Sequence, residues 1–224
     1  MSIPRVIEPE WLDELPPADA RALSSRRDLR RINALMMNAR SISHALERRL
    51  PHRSRLRVAE LGAGDGTLML KLAEKCPALR DAEVVLVDRH DTVNAATRSA
   101  IARKGMRAEY VTADVFDWLE SSPQQLDVVI ANLFLHHFDA ARLSALLELI
   151  ARRARLCVAC EPRRSPLALV ASRLLVLIGC NDVSCHDAVL SVRAGFNGSE
   201  LSVQWPQGSD WDPLNPARTL KTAS

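Results

Sequence analysis

Apolar and polar positions fall into two alternating patterns from Arg57 onward. Short apolar runs, near 57–61, 83–88, 108–112, 126–131 and 155–160, have the length and β-branched content of buried strands. Between them lie stretches with apolar residues at three- and four-residue spacing, near 67–75, 92–104, 115–120, 139–152 and 166–179, which predict helices. Strand and helix in strict alternation predict an α/β fold with a doubly wound, mostly parallel sheet. A further short helix is expected over Asp187–Ala194 and a sixth strand over Leu201–Trp205. The segment Pro166–Gly179 is too short to span a bilayer and contains Arg173, so it reads as a buried helix or one wall of an apolar pocket.

The region before the first strand is organised differently. Residues 1–20 are rich in proline and acid and are expected to wrap the surface. From Asp19 to Leu50 a helical pattern carries Leu23, Leu29, Ile32, Leu35, Met36, Ile42, Leu46 and Leu50, with a cationic face around Arg26, Arg27, Arg30 and Arg31. Either this is a solvated amphipathic helix, or it is a lid whose Arg30 or Asn33 reaches a ligand. Pro51–Arg55 then form a basic link. The expected organisation is a helical lid over 1–55, an α/β domain over 56–206 and an irregular tail over 207–224.

Candidate chemistry concentrates at Val58-Ala59-Glu60-Leu61-Gly62-Ala63-Gly64-Asp65-Gly66-Thr67, where a strand runs into glycines at alternate positions. Glycines at a strand-to-helix turn let a ligand approach the backbone. A dinucleotide fingerprint has the spacing G-x-G-x-x-G. Here the third glycine comes one residue early, and Glu60 would repel a pyrophosphate but attract a cationic ligand. S-adenosylmethionine, with a sulfonium and an amino group, fits that description.

With these residues the chain resembles the class I S-adenosylmethionine-dependent methyltransferases. Glu60, Gly62, Gly64 and Gly66 match the acid-x-Gly-x-Gly-x-Gly signature of that family. Val84–Val87 leads to Asp88, Ala108–Thr112 to Ala113-Asp114-Val115, and Leu126–Asn132 to Leu133-Phe134-Leu135-His136-His137-Phe138. The last string is similar to small-molecule methyltransferases of the ubiquinone/menaquinone type. The stretch Glu161–Pro206 also looks like methyltransferases found beside bacterial type III polyketide synthases. The resemblance implies a Rossmann-like methyltransferase fold with S-adenosylmethionine as cofactor. Glu60, Gly62, Ala63, Gly64 and Gly66 would line its amino-acid half, Asp88 the ribose, Asp114 and Val115 the adenine, and Asn132 and Leu133 the floor beside the methyl, with Arg89 also in the cofactor site. The family's sheet ends in an antiparallel seventh strand, yet Gln207–Ser224 holds Pro213, Pro216 and no apolar run. A missing strand leaves an edge that is covered or pairs with a second copy as a homodimer. The alternative is a truncated or frame-altered C-terminus.

Composition narrows the function further. The 224 residues suffice for one sizeable α/β core, with 47% hydrophobic and 25% charged residues. A formal net charge of +3 is too small to argue for nucleic acid or an acidic membrane surface. The first residues lack the apolar stretch of a signal peptide, so a cytoplasmic location without stable membrane insertion is expected. Cys157 and Cys160 stand three apart on a strand and point to opposite faces, and Cys180, Asp182, Cys185 and His186 have no second ligand pair at zinc spacing. No metal is therefore expected.

Methyl transfer from a sulfonium requires alignment of donor and acceptor, and a hydroxyl acceptor also needs a base. His136 and His137 follow the fourth strand, and His186 is followed by Asp187 beyond the fifth. All three are candidate bases, with at most one of the adjacent pair facing the acceptor; alternatively His136 and His137 are loop residues held by the backbone, and Asp187 is a helix cap. Glu161 would bind the acceptor or start the next loop. The expected reaction is O-methylation of a small apolar or phenolic acceptor, with C-methylation next. The rivals are a nicotinamide-dependent oxidoreductase and a catalytically inactive methyltransferase-like binding subunit.

Overall fold

The computed structural model describes residues 3–16, 18–50, 55–122 and 124–206; the tail at 207–224 and most of the link at 51–55 lie outside them. Five parallel strands form one sheet: β1 (Arg57–Leu61), β2 (Glu83–Asp88), β3 (Arg107–Thr112), β4 (Leu126–Asn132) and β5 (Ala154–Cys160). Their order is β3-β2-β1-β4-β5, so the winding reverses between β1 and β4. In open α/β sheets ligands bind beyond the carboxyl ends of the strands at such a reversal. Leu61 is in register with Val87 on one side and Ala131 on the other, and Asn132 with Cys160. The loops that follow these strands therefore open at one edge.

Three helices precede the sheet: α1 (Trp11–Glu14), α2 (Ala20–Leu35) and α3 (Asn38–Glu47). Within the alternating region come α4 (Thr67–Lys75), α5 (Ala95–Arg103), α6 (Val115–Ser121) and α7 (Ala140–Arg153), followed by α8 (Pro166–Arg173) and α9 (Asp182–Ala194). Alternate strand residues face two cores. Val58, Val128, Ile130 and Val158 pack with Ile42, Leu46, Met69, Leu72 and Ile101 from α3, α4 and α5. Ala59, Leu61, Val129 and Ala131 pack with Leu119, Leu143, Leu146 and Ile150 from α6 and α7. Cys160 falls in the first cluster and Cys157 in the second, on opposite faces as strand geometry requires.

Capping side chains set several boundaries that periodicity blurs. Asn94 accepts from Thr97 N at 2.9 Å, so α5 starts at Ala95. Asn181 accepts from Ser184 N at 2.8 Å, so α9 begins five residues before the expected helix.

Two expectations are corrected after β5. Leu201–Trp205 forms no strand: a 3₁₀ turn covers Ser202–Gln204. Leu201 is buried in the second core beside Trp205, Glu200 Oε2 accepts from Asn197 N, and Glu200 Oε1 pairs with Arg164 at 2.6 Å. These contacts turn the chain inward instead of extending it along the sheet, and the ladder contact left is the isolated parallel bridge Arg163–Phe196. The apolar segment Pro166–Gly179 is not buried either. It splits into α8 and a 3₁₀ turn over Leu174–Ile178, with Ser172 as the buried residue of α8 and Leu167 and Leu177 more than three quarters exposed.

Gly195 seats the end of α9 against the strap leaving β5: a Cβ there would overlap the Pro162 carbonyl, which accepts from Phe196 N at 2.9 Å. Gly195→Ala should destabilise the fold by about 1–3 kcal/mol, the usual range for overpacking, as read by urea unfolding.

Candidate active site

The loops after β1, β2, β3 and β4, together with the N-terminal segment, enclose a cavity of about 710 Å³. The glycine turn forms one wall. Gly62 and Ala63 donate to Val87 O at 2.9 and 3.1 Å, and Gly62, Gly64 and Gly66 all adopt positive φ. Such angles cost glycine nothing and other residues roughly 1 kcal/mol or more. Around Gly64 an added Cβ would meet nothing within 4 Å, so its exposed backbone faces open cavity. Gly66 does not line the cavity; a Cβ there would press on Leu86 and Val93, each at 3.2 Å. It starts α4 and closes the turn from behind.

Asp88 fixes this turn from β2. Its Oδ2 accepts from Gly64 N at 2.8 Å and its Oδ1 from His90 N at 3.0 Å, while Thr92 Oγ1 donates to Gly64 O at 2.7 Å. Each carboxylate oxygen retains a second lone-pair direction for a ligand. At β3, Asp114 Oδ1 caps α6 through Phe116 N at 2.8 Å. Arg89, Asp114, Val115, Asn132 and Leu133 also line the cavity. Leu133 has φ 51°, an uncommon angle for a side chain of its size, and its N–H reaches Cys160 O at 2.8 Å.

Glu60 projects into this space from β1, 2% exposed, with Oε2 lacking a hydrogen-bond partner among the described residues. Burial, followed by repulsion from Asp65 and Asp88, holds its carboxyl well above the ordinary range. A donor or cation arriving at Oε2 would relieve both burdens.

The N-terminal helices cover the cavity through two polar latches. Arg30 of α2 pairs with Asp65 of the glycine turn at 2.6 Å. Asn38 at the start of α3 donates to Asn33 Oδ1 at 2.8 Å and to Asn132 Oδ1 at 2.9 Å, and Asn132 Nδ2 approaches Asn33 Oδ1 at 3.3 Å. Arg30 and Asn33 line the cavity. Asn38 was not apparent in the sequence, because its partners lie 5 and 94 residues away.

The loop after β4 is organised by Glu161. Its Oε1 accepts from Phe134 N and Leu135 N at 3.0 and 2.9 Å, and its Oε2 accepts from His136 N at 3.3 Å and lies 2.7 Å from His136 Nδ1. Glu161 is thus a loop anchor, not an acceptor ligand. Phe134 packs on Gly62 and stacks edge-on with Phe138, which in turn meets Phe116. This aromatic wall emerges from packing of separate loops, so spacing alone did not reveal it.

The histidine pair divides its roles. His136 is 2% exposed, with Nδ1 on Glu161 and Nε2 3.5 Å from Glu10 Oε1. Burial disfavours its charged form, but Glu10 and Glu161 outweigh burial and raise its pKa to about 9. The two carboxylates thus favour a proton on His136, which weighs against its candidacy as the general base. Burial and then the neighbouring His136 charge push His137 below its ordinary value. His137 lines the cavity as a neutral imidazole, 3.8 Å from Asp13 Oδ2. Glu10 and Asp13 arrive from the N-terminal segment and were not identified from sequence. Glu10 sits with its carboxyl below the ordinary range: burial opposes that, but His136, His137 and Ser191 prevail.

His186 is corrected as a candidate base, because the structure does not bring it to the cavity. Its ring stacks on Trp11 at 3.7 Å and Nδ1 lies 2.9 Å from Asp187 Oδ1. Asp187 is a cap, but of α1, accepting from Trp11 N and Leu12 N at 2.9 Å each.

Residues 58–155 match a family model described as a methyltransferase domain. No curated protein sequence matches the chain. Among solved structures it is similar to the plantazolicin methyltransferase in complex with a triazolic desmethyl analogue and S-adenosylhomocysteine, at 15% identity over 84% of this chain and 66% of that one, with a TM-score of 0.57. An O-methyltransferase family protein from Burkholderia thailandensis aligns at 19% identity, over 84% and 54% of the chains, with a TM-score of 0.53. The mitomycin 7-O-methyltransferase aligns at 19% identity, over 86% and 52%, with a TM-score of 0.51. At these identities the likeness is one of fold, and the chain spans 52–66% of the length of these structures.

The His136 environment has a consequence for pH dependence. A histidine raised from 6.5 in the unfolded chain to about 9 in the fold stabilises the protein below pH 6.5 and loses that contribution as pH climbs through 9. The imidazole signal of His136, followed by NMR in chelator-containing buffer, should titrate near pH 9, and Glu10→Gln should lower that midpoint.

Proposed function

We propose that this chain, whose residues 58–155 match the methyltransferase domain, is an S-adenosylmethionine-dependent methyltransferase acting on a small molecule. The observation that carries this reading is the pairing of an orphaned, buried carboxylate oxygen on Glu60 with the open backbone of Gly64 in the same cavity. The donor set suits the cofactor. Glu60 meets the ammonium of its methionyl half, and the free lone pairs of Asp88 meet the ribose hydroxyls. Asp114 offers its second oxygen to the adenine amino group with Val115 beside it, Gly62, Ala63 and Gly64 supply the backbone track, and Arg89 flanks the ribose. Asn132 and Leu133 form the floor, with Gly66 supporting from behind. When bound, S-adenosylmethionine supplies a methyl group already activated on sulfur.

The acceptor end is framed by Phe134, Phe138 and His137, which favours a small apolar or phenolic molecule and O-methylation. An acceptor of the quinone or polyketide-derived phenol kind suits such a wall. His137 is a neutral imidazole able to take the hydroxyl proton, and residues 1–55 act as a lid that excludes water while donor and acceptor align.

Asp88→Ala should weaken S-adenosylmethionine binding by about ten- to a hundredfold in calorimetry, the scale of one lost charge-assisted contact, with the fold retained. Gly64→Val should abolish binding, since the new side chain would fill the open cradle. In a tritium-transfer assay with phenolic acceptors, His137→Ala should lower turnover by about 10²- to 10⁴-fold, the usual worth of a proton-transfer group. Its cofactor affinity should stay near native.

A further inference from the structure

Glu10, His136 and His137 converge at the acceptor end of the cavity, although Glu10 comes from the N-terminal segment and the histidines from the loop after β4. Each offers one ligand atom, and all of these atoms lie within 4.8 Å of one another. Glu10 Oε1 and His136 Nε2 are 3.5 Å apart. Two ligands at about 2.0–2.1 Å from a tetrahedral zinc stand about 3.3 Å apart, so this edge is already close to the spacing that such an ion requires.

The surroundings match a ligand site more closely than a plain ion pair. His136 Nε2 is buried and has no hydrogen-bond partner among the described residues, because 3.5 Å to Glu10 is too long for a bond. Its other nitrogen, Nδ1, lies 2.7 Å from the buried Glu161 carboxylate. A carboxylate behind one nitrogen, with the other aimed into a cavity, is the arrangement that orients metal-binding histidines. On the far side, Ser191 Oγ donates to Glu10 Oε1 and fixes the carboxylate in place.

We infer that Glu10, His136 and His137 bind one divalent cation of the zinc class, with the remaining coordination position open to the cavity. Two imidazoles and one carboxylate form a catalytic-type ligand set, which leaves room for a substrate oxygen. That oxygen is the acceptor hydroxyl: on the ion its O–H bond weakens, the proton leaves to water, and the oxygen lone pair is freed for methylation. On binding, the ion displaces the Nε2 proton of His136 to water; the His137 lone pair is also committed to the ion, so activation of the hydroxyl passes from imidazole to cation. The ligand set stands on its own geometry, so metal binding can be tested apart from methyl transfer.

The test is titration of the full chain, stripped with chelator, with Co²⁺ followed by absorption spectroscopy and with Zn²⁺ followed by calorimetry. One equivalent should bind, giving the visible bands of cobalt with nitrogen and oxygen ligands and no thiolate charge-transfer band. Glu10→Gln and His137→Ala should each weaken Zn²⁺ binding by tenfold or more while their thermal unfolding stays cooperative. The double variant Cys180→Ser/Cys185→Ser should bind as the parent does. Absence of stoichiometric binding overturns the inference. So does a thiolate band, or unchanged affinity in both folded variants at Glu10 and His137.

Discussion

The site depends on one buried carboxylate. Glu161 sits just past β5 and gathers three successive backbone N–H groups, Phe134 to His136, together with the His136 ring. Without it, three donors in a buried loop would lose their partner, at about 1–3 kcal/mol each. With it, the chain leaving β4 bends through the positive φ of Leu133, lays Phe134 against Gly62 and aims His136 at Glu10. A single acid on one strand thus dictates the conformation of the loop on its neighbour. It also explains the unequal histidines: His136 is clamped between carboxylates, and His137 is left neutral beside its charge.

The N-terminal segment completes the site from outside the α/β alternation. Arg5 holds the carbonyls of Ala194, His136 and Phe138, and Arg164 holds the carbonyl of Ile3, so the first residues are stitched to the β4 loop and the end of α9. Asp28 of α2 accepts from Asn181 N and Ser184 Oγ, which ties the same helix to α9. These ties deliver Glu10 and Asp13 to the cavity beside the histidines, while Arg30 and Asn33 reach the glycine turn and Asn132. The N-terminal segment and the cavity wall are therefore parts of one hydrogen-bonded unit.

Much of the sheet was legible because buried strands and glycine turns are encoded locally. The run 57–61 and the helix 67–75 match β1 and α4 residue for residue, and Asp88 and Asp114 stand at strand ends as expected. What escaped the sequence reading was non-local. Glu10 meets His136 across 126 positions, and nothing in either neighbourhood signals the other. His186 looked like half of a catalytic pair because Asp187 follows it, yet both residues serve α1 through stacking and capping. The apolar stretch 166–178 resembled core because hydrophobicity measures preference for burial, not whether a partner surface is available. At 201–205 a strand-like composition yielded to Leu201 and Trp205 turning inward.

The two latches that hold α2 and α3 over the cavity differ in kind. The Arg30–Asp65 pair is a partly exposed contact between full charges, whereas Asn33, Asn38 and Asn132 are joined by neutral amides around a side chain that is 2% exposed. Salt weakens the first only modestly, because charges 2.6 Å apart sit well inside the Debye length of about 8 Å at physiological ionic strength, and it leaves the neutral amides unaffected. The amide cluster is therefore a hold on α2 and α3 that does not depend on salt, alongside the ties of Asp28 to α9.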